Sequence, residues 1–457
     1  MSSGIFSSLH LGYRSLNKIE HILREEMNAI GGVEISMPVV HPADIWKKTK
    51  RYDDIDESLV RFSDRANRDM VLGMTHEEVV ASLAKSEVST YRQLPKLIYQ
   101  IQTKFRDEAR SRGGLIRVRE FIMKDSYSLD SSQEGLEEQY KAHYHAYFRM
   151  FTRAGLPVIA IQSDMGMMGG SMAHEFMYIT EIGEDTIFIC ENTGYQANKE
   201  VASIKKPKRN EEAPLALEKI HTPSLKTIAD LAESLKIEKS SFGKVVMYTG
   251  FVDQKEAQIM ALVPGDMEVN EVKLQNLVRS KYLRPSTEEE IVAIGAVPGY
   301  ASPVGVDRSK VIVVIDEMME NANNMTMGAN EENYHLSNVC YKRDYEADMV
   351  GDIISAFDGA LAPNGNSPKD VLKSVRGVET GNIFQLGTKY TEAMEANFMD
   401  KDGRPKPIIM GSYGIGVGRL LGCLAEEYHD DKGLLLPITI APYEVIIVGL
   451  LDNEEVT

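Results

Sequence analysis

Apolar residues at Leu16, Ile19, Leu23, Met27 and Ile30 follow helical spacing and stop at Gly31-Gly32. This pattern predicts an amphipathic helix ended by a glycine cap, because glycine enters the left-handed conformation at no steric cost. A second stripe, Leu136, Tyr140, Tyr144, Tyr147 and Phe151, predicts a helix whose aromatic face is core. Between the two, Phe105 to Asp125 reads as strand, polar glycine-containing loop, strand. Farther on, Ser224 can cap a helix with the face Ile228, Leu231, Ala232 and Leu235, followed by β-rich Val245 to Val252 and Gln258 to Val263. These form a separate α/β unit. Lys205-Lys206-Pro207-Lys208-Arg209 and the stretch Asn210 to Pro214 have no periodicity and read as a solvated linker. The short apolar run Val445 to Leu451 reads as a buried strand.

Length and composition narrow the class. At 457 residues the chain is long enough for roughly three domains, and 43% hydrophobic with 26% charged residues is the balance of a folded globular protein. Lys and Arg total 51 against 68 Asp and Glu, giving a net charge of −17, which argues against a generally basic nucleic-acid coat but leaves room for a local basic groove. Cys190, Cys340 and Cys423 lie far apart with no paired spacing, so neither a disulfide framework nor a cysteine-rich zinc site is expected. No apolar run reaches the ~18 residues of a membrane span, and the first residues lack the pattern of a signal peptide.

The chemistry-bearing residues fall in two strings. In Phe105-Arg106-Asp107-Glu108, strand alternation puts Arg106 and Glu108 on one face; Arg117, Arg119 and Phe121 share another. A forked, permanently charged guanidinium suits phosphate or carboxylate, and a neighbouring phenylalanine offers a flat face to a purine; surface ion pairing is the plainer alternative for such arginines. In Gly411-Ser412-Tyr413-Gly414-Ile415-Gly416-Val417-Gly418-Arg419, glycines free one strand face for a flat ligand before an arginine opens a helix. Close strand packing would also select glycine. No dinucleotide-binding fingerprint is present.

In this order and separation, the two strings resemble motifs 2 and 3 of the class II aminoacyl-tRNA synthetases. Gly73-Met74-Thr75-His76-Glu77-Glu78, Arg119-Glu120-Phe121-Ile122-Met123-Lys124-Asp125, Gly169-Gly170-Ser171-Met172-Ala173-His174-Glu175-Phe176 and Ile383-Phe384-Gln385-Leu386-Gly387-Thr388-Lys389-Tyr390 narrow the resemblance to the bacterial type of prolyl-tRNA synthetase, over nearly the whole chain. The resemblance implies an α+β fold, an antiparallel sheet flanked by helices with an inserted α/β editing domain. It also implies a homodimer formed through the region around Pro38. The implied domains are 1–203 and 376–440 for the catalytic core, 204–375 for the editing insertion and 441–457 for the start of an anticodon-binding domain. The expected activity is ATP-dependent proline activation and transfer to tRNA(Pro), with Mg²⁺ as cofactor and a cytoplasmic location.

By the same resemblance, Arg106 holds the α-phosphate and the activated carboxyl, Glu108 positions ATP, Phe121 stacks on adenine, and Arg419 covers the base from the other side. These make Arg106, Glu108 and Arg419 the catalytic set. Arg117, Gln385, Thr388 and Gly416 complete the ATP contacts, with Gln385 and Thr388 toward the sugar. Thr75 and Glu77 receive the proline imino group, and His174 lines the proline pocket with Arg106. Read without the resemblance, Thr75 is a helix cap, Glu77 a first-turn dipole residue and His174 a hydrogen-bonded core histidine.

His221-Thr222-Pro223, Gly243-Lys244-Val245-Val246, Gly299-Tyr300-Ala301-Ser302-Pro303 and Tyr334-His335 resemble the family's YbaK-like editing insertion. A pocket shaped for proline cannot exclude the smaller alanine, since a missing methylene changes binding by only ~1–3 kcal/mol, so a second, hydrolytic pocket has a physical reason to exist. Lys244, Gly299, Pro303 and His335 are its expected residues. Thr193 and Asn382 depart from the family pattern, where a cysteine and a histidine are frequent. By alignment to the family, about thirty residues are expected upstream of Met1 and about a hundred beyond Thr457. Two rival readings stay open at the sequence level: a synthetase-like binding or regulatory protein without catalysis, and a stand-alone editing hydrolase.

Overall fold

A computed structural model describes residues 2–164, 166–207 and 212–448, so parts of the expected linker and of the expected C-terminal strand lie outside the described residues. The chain divides into two compact units, residues 1–186 with 375–457, and residues 187–374.

The first unit is built on a sheet whose strands run in the order Val33–Glu34, Lys96–Phe105, Glu120–Asp130, Ile409–Gly416, Lys373–Gly387, Met172–Ile179 and Ile159–Gln162. Only the first pair is parallel; the pairings from Lys96–Phe105 onward are antiparallel. Strand alternation gives the sheet two differently clothed faces. On one, Phe176, Ile383, Tyr413 and Ile415 pack under helices His10–Ala29, Gln133–Ala154 and Val417–Glu427. The predicted stripes supply this core: Leu16, Ile19, Leu23, Met27, Leu136, Tyr147 and Phe151 are buried. Ser132 caps the second helix by accepting from Gly135 N at 3.1 Å, and Gly155 ends it at φ 95°. On the opposite face, Ala173, Phe384, Tyr127 and Leu129 pack against helices Glu77–Glu87 and Lys389–Met394, toward the open end of the sheet where the site lies.

The second unit has a five-stranded sheet in the order Leu283–Pro285, Gly243–Val252, Lys255–Pro264, Val311–Asp316 and Met349–Gly351, plus a three-stranded sheet of Glu218–His221, Tyr334–Val339 and Met325–Gly328. Parallel pairing of Lys255–Pro264, Val311–Asp316 and Met349–Gly351 accounts for the unbroken apolar character of the central strands.

Four local expectations are corrected. The helix Ile228–Leu235 is capped by Thr227, whose hydroxyl accepts from Asp230 N, while Ser224 sits earlier in a left-handed turn at φ 64°. Strand Lys96–Phe105 ends before Arg106, and Arg117 and Arg119 precede strand Glu120–Asp130, so the cleft arginines stand on strand ends and a hairpin rather than on alternating strand positions. Lys206 is not solvated: Asp316 and Asp352 hold its ammonium, each at 2.9 Å. Val445 to Val448 are exposed and outside any strand, with no strand partner among the described residues.

Candidate active site and a second cavity

A cleft in the first unit is lined by Arg106, Glu108, Arg117, Phe121, Gly416 and Arg419, together with Glu379 and Asn382. Its floor is the glycine-rich strand. Gly414 pairs with Asp125 and Gly416 with Met123, so both share the sheet face of Phe121, and their missing side chains leave the floor flat. Gly411 points the other way, where a Cβ would come 2.1 Å from the Tyr413 hydroxyl, so that glycine is needed for strand packing.

Arg106 dominates the electrostatics. Its Nε is buried without a hydrogen-bond partner, its Nη2 lies 3.5 Å from the Met74 carbonyl, and its guanidinium stands 5.3 Å from the Phe121 ring centre. Burial, and next the Arg419 guanidinium, push its pKa down, the mark of a cation that lacks an anion. Arg419 opens helix Val417–Glu427 and is fixed by two backbone carbonyls, Ile116 at 2.8 Å and Glu379 at 3.0 Å. The Glu379 carboxylate accepts from Asn382 Nδ2 at 2.7 Å and faces Arg419 at 3.5 Å. Glu108 pairs with Arg117 at 2.8 Å.

Next to Met74, the loop before helix Glu77–Glu87 forms a negative pole. Glu77 is 2% exposed; its Oε1 accepts from the Ser412 hydroxyl at 2.9 Å, while its Oε2 is buried with no hydrogen bond. Arg51 shapes this loop. Its Nη1 donates to Thr75 Oγ1 at 3.0 Å and to both oxygens of Glu78, and lies 3.5 Å from Glu77 Oε2. Beneath, Lys104 and Asp125 form a buried ion pair at 2.6 Å, and Gln100 and Tyr127 each donate to Asp125 at 2.9 Å. Thr75 is therefore a partner of Arg51 rather than a helix cap, since His76 occupies the cap position.

Three expected ligands stand elsewhere. His174 pairs with Ile383, which pairs with Tyr413, so it lies on the sheet face covered by helix Gln133–Ala154, bonded to the Tyr140 hydroxyl at 2.7 Å. Glu77 lies across the sheet with Ser412. His174 thus keeps the core role that its residue type suggests, with burial lowering its pKa. Gln385 faces the same way, accepting from Ser171 Oγ and Gln133 Nε2. Thr388 donates its hydroxyl to Glu392 at 2.8 Å. Sequence reasoning missed Arg51 and Glu379. Arg51 sits in a charged stretch that reads as surface, and nothing local signals that its fork serves residues 24 or more positions away.

The second unit has its own cavity, lined by Lys226, Lys239, Lys244, Glu268, Gly299 and His335 among others. Lys244 is paired with Glu268 at 2.6 Å. His335 is 3% exposed, its Nδ1 hydrogen-bonded with the Thr222 hydroxyl at 2.6 Å, and burial lowers its pKa. Gly299 adopts φ 84°, and a Cβ there would come 3.0 Å from the Lys226 stem. Pro303 is buried beside the cavity loop rather than on its wall.

Comparison with known proteins agrees with the motif reading. The tRNA synthetase class II core domain family (G, H, P, S and T) matches residues 60–428. A proline–tRNA ligase of Salinispora tropica is 50% identical over 459 residues, covering 99% of this chain and 76% of that protein. One from Dehalococcoides mccartyi is 45% identical, covering 100% and 79%. The prolyl-tRNA synthetase of Giardia lamblia, solved with prolyl-adenylate, shares the fold at a TM-score of 0.51 and 13% identity, over 96% of this chain and 52% of that one.

Proposed function

The chain belongs to the class II tRNA synthetases and, within them, to the proline–tRNA ligases, and from that premise we propose how its residues perform ATP-dependent proline activation. One observation carries the reading: Glu77 Oε2 and Arg106 Nε are both buried and unpartnered, and Arg106 reaches the carbonyl of the residue before Thr75. A buried carboxylate oxygen and a buried guanidinium nitrogen, each still open to a hydrogen bond although Arg51 stands 3.5 Å from the carboxylate, are complementary to an amino-acid zwitterion. Glu77, with the Thr75 hydroxyl, takes the NH₂⁺ of proline, and Arg106 takes its carboxylate.

ATP occupies the adjoining cleft. Phe121 stacks on adenine over the bare Gly414–Gly416 floor, and Arg419 covers the base and neutralises phosphate. The proline carboxylate attacks the α-phosphorus, pyrophosphate leaves, and a terminal ribose hydroxyl of tRNA(Pro) then takes the prolyl group. No protein nucleophile is needed. Arg106 touches both reacting groups, so it holds them in line and offsets the charge that grows between them. Glu108 and Glu379 line the cleft and would be the carboxylates available to hold a Mg²⁺, which would supply further charge screening on the triphosphate.

The second unit, with 204–375 as the insertion, is proposed to hydrolyse Ala-tRNA(Pro). Lysines around a cavity with a neutral histidine suit the phosphates and ester of an RNA 3′ end. A homodimer and a cytoplasmic location complete the proposal on family grounds; no helix among the described residues is long and apolar enough to cross a membrane. The test is ATP–pyrophosphate exchange with each of the twenty amino acids. Strong exchange with proline supports the assignment, and none with any amino acid refutes it.

A further inference from the structure

We propose that Glu184 is a positioning residue for proline activation, setting the wall of the nucleotide cleft by holding Arg112 and Arg117 with one carboxylate. The wall is a short hairpin. Arg112 N donates to Arg117 O at 3.1 Å and Arg117 N to Arg112 O at 3.2 Å, around Gly113 and Gly114 at φ 64° and 59°. Leu115, Ile116, Arg117 and Val118 line the cleft, and Ile116 supplies the carbonyl that fixes Arg419. A tip of two left-handed glycines has little rigidity of its own.

Its rigidity comes from outside. Glu184 Oε1 accepts from Arg112 Nε, and Oε2 accepts from Arg117 Nη1 at 3.1 Å, so both ends of the hairpin meet one carboxylate. Glu184 in turn stands on a fixed turn. Gly183 N donates to Thr180 O at 3.0 Å, Arg376 Nε donates to Gly183 O at 3.0 Å, and a Cβ on Gly183 would fall 2.3 Å from Gly377 N. The turn therefore packs backbone to backbone on the strand Lys373–Gly387, the strand that also carries Glu379.

Exposed ion pairs contribute little singly, but this one is a network: the Glu184 and Glu108 side chains are 22% and 24% exposed, and Arg117 spans them with separate nitrogens. Arg117 Nη2 is held by Glu108 at 2.8 Å while Nη1 is held by Glu184. To offer an arm to a phosphate, Arg117 leaves Glu108 and pivots on Glu184. Glu184 does not line the cleft, so it acts through Arg117 rather than on substrate.

The inference rests on the activation reading above, and the experiment separates the two. Glu184→Gln leaves one acceptor oxygen for two arginines. It is expected to lower kcat/KM for ATP in proline-dependent exchange by about tenfold or more, the scale of a misplaced binding group, with KM for proline unchanged. In an Arg117→Met background the same change is expected to cost less, because only the Arg112 bond is then left to lose. Limited trypsin digestion without substrates gives a readout independent of activity, with faster cutting after Arg112 and Arg117 in Glu184→Gln. Equal losses in both backgrounds, or unaltered exchange and cutting, overturn the role of Glu184. Failure of the unmodified protein to exchange with proline refutes the activation reading, while the cutting rate still decides whether Glu184 holds the hairpin.

Discussion

The Ser412 hydroxyl donates to Glu77 Oε1 at 2.9 Å across a separation of 335 residues. This bond ties the floor strand to the loop proposed to receive the amino acid and fixes the carboxylate so that Oε2 is the oxygen left without a hydrogen bond. Arg51 stabilises the same carboxylate from 3.5 Å without closing a hydrogen bond. The loop is thus held in shape before ligand arrives, which lowers the ordering cost of binding.

Glu77→Gln is expected to raise KM for proline about tenfold to a hundredfold, the range of one hydrogen bond to a charged group, with KM for ATP unchanged. Pyrophosphate exchange at varied proline checks this. An unchanged KM for proline removes Glu77 from the pocket.

Arg106→Met tests the other pole. The methionine keeps apolar bulk and removes a cation whose burial and Arg419 neighbour outweigh the pull of Glu379 and Glu77, so the ligand-free melting temperature should hold or rise. Exchange should fall by about 10²–10³-fold or more, because charge developing at the α-phosphate loses its donor. Calorimetry and exchange on one preparation separate a folding defect from a catalytic one.

The residues most legible in the sequence were those whose role is set locally. The stripes Leu16 to Met27 and Leu136 to Phe151 declare their buried faces through spacing alone. Gly414 and Gly416 precede Arg419 in a string whose composition suits either a close ligand approach or close strand packing, and Gly411 in the same string serves the packing. His174 and Gln385 failed because their facing depends on register. In the unbroken register from Gly381 to Gln385, Ile383 with its partner His174 and Gln385 fall on the side opposite Asn382 and Phe384, and which side meets the cleft is decided by the neighbouring strands rather than by local sequence. Arg51 was invisible because its partners are brought to it by tertiary folding.

Acid should weaken the same pocket. Burial lowers His41 to about 4 and His76 to about 3. Each directs Nε2 at the Pro38 carbonyl, which only accepts, so both rings carry that proton and are neutral; His41 Nδ1 then accepts from the Trp46 indole at 3.2 Å. Unfolded histidines take up a proton near pH 6.5 and the folded ones do not, so stability is full above that pH and falls as pH drops toward 4. At about 1.4 kcal/mol for each pH unit between the two values, the loss is a large share of the ~5–15 kcal/mol that holds a domain. Trp46 is the single tryptophan and reports on this site directly. Urea midpoints followed by its fluorescence should fall between pH 7 and pH 5, and a flat profile would contradict the neutral pair.

The cavity of the second unit, with the editing role proposed for it, makes a prediction opposite in kind for two contacting residues. Lys244 lines it, but Glu268 neutralises its ammonium, so under the proposed role an RNA phosphate would compete with a carboxylate already in place. The Glu268 side chain is 79% exposed, which makes that carboxylate inexpensive to displace. Lys244→Ala should therefore impair Ala-tRNA(Pro) hydrolysis while leaving proline-dependent exchange untouched, since exchange belongs to the other unit. Glu268→Gln should do the reverse to binding: with its competitor gone, Lys244 meets the phosphate directly, and the KM for Ala-tRNA(Pro) should fall, most visibly at low salt where an added positive charge counts most. In the double variant the gain should vanish, because it acts through the lysine alone. Deacylation assays on the three variants at two salt concentrations decide it. If Glu268→Gln weakens binding as Lys244→Ala does, the pair is structural and the phosphate contact lies with Lys226 or Lys239.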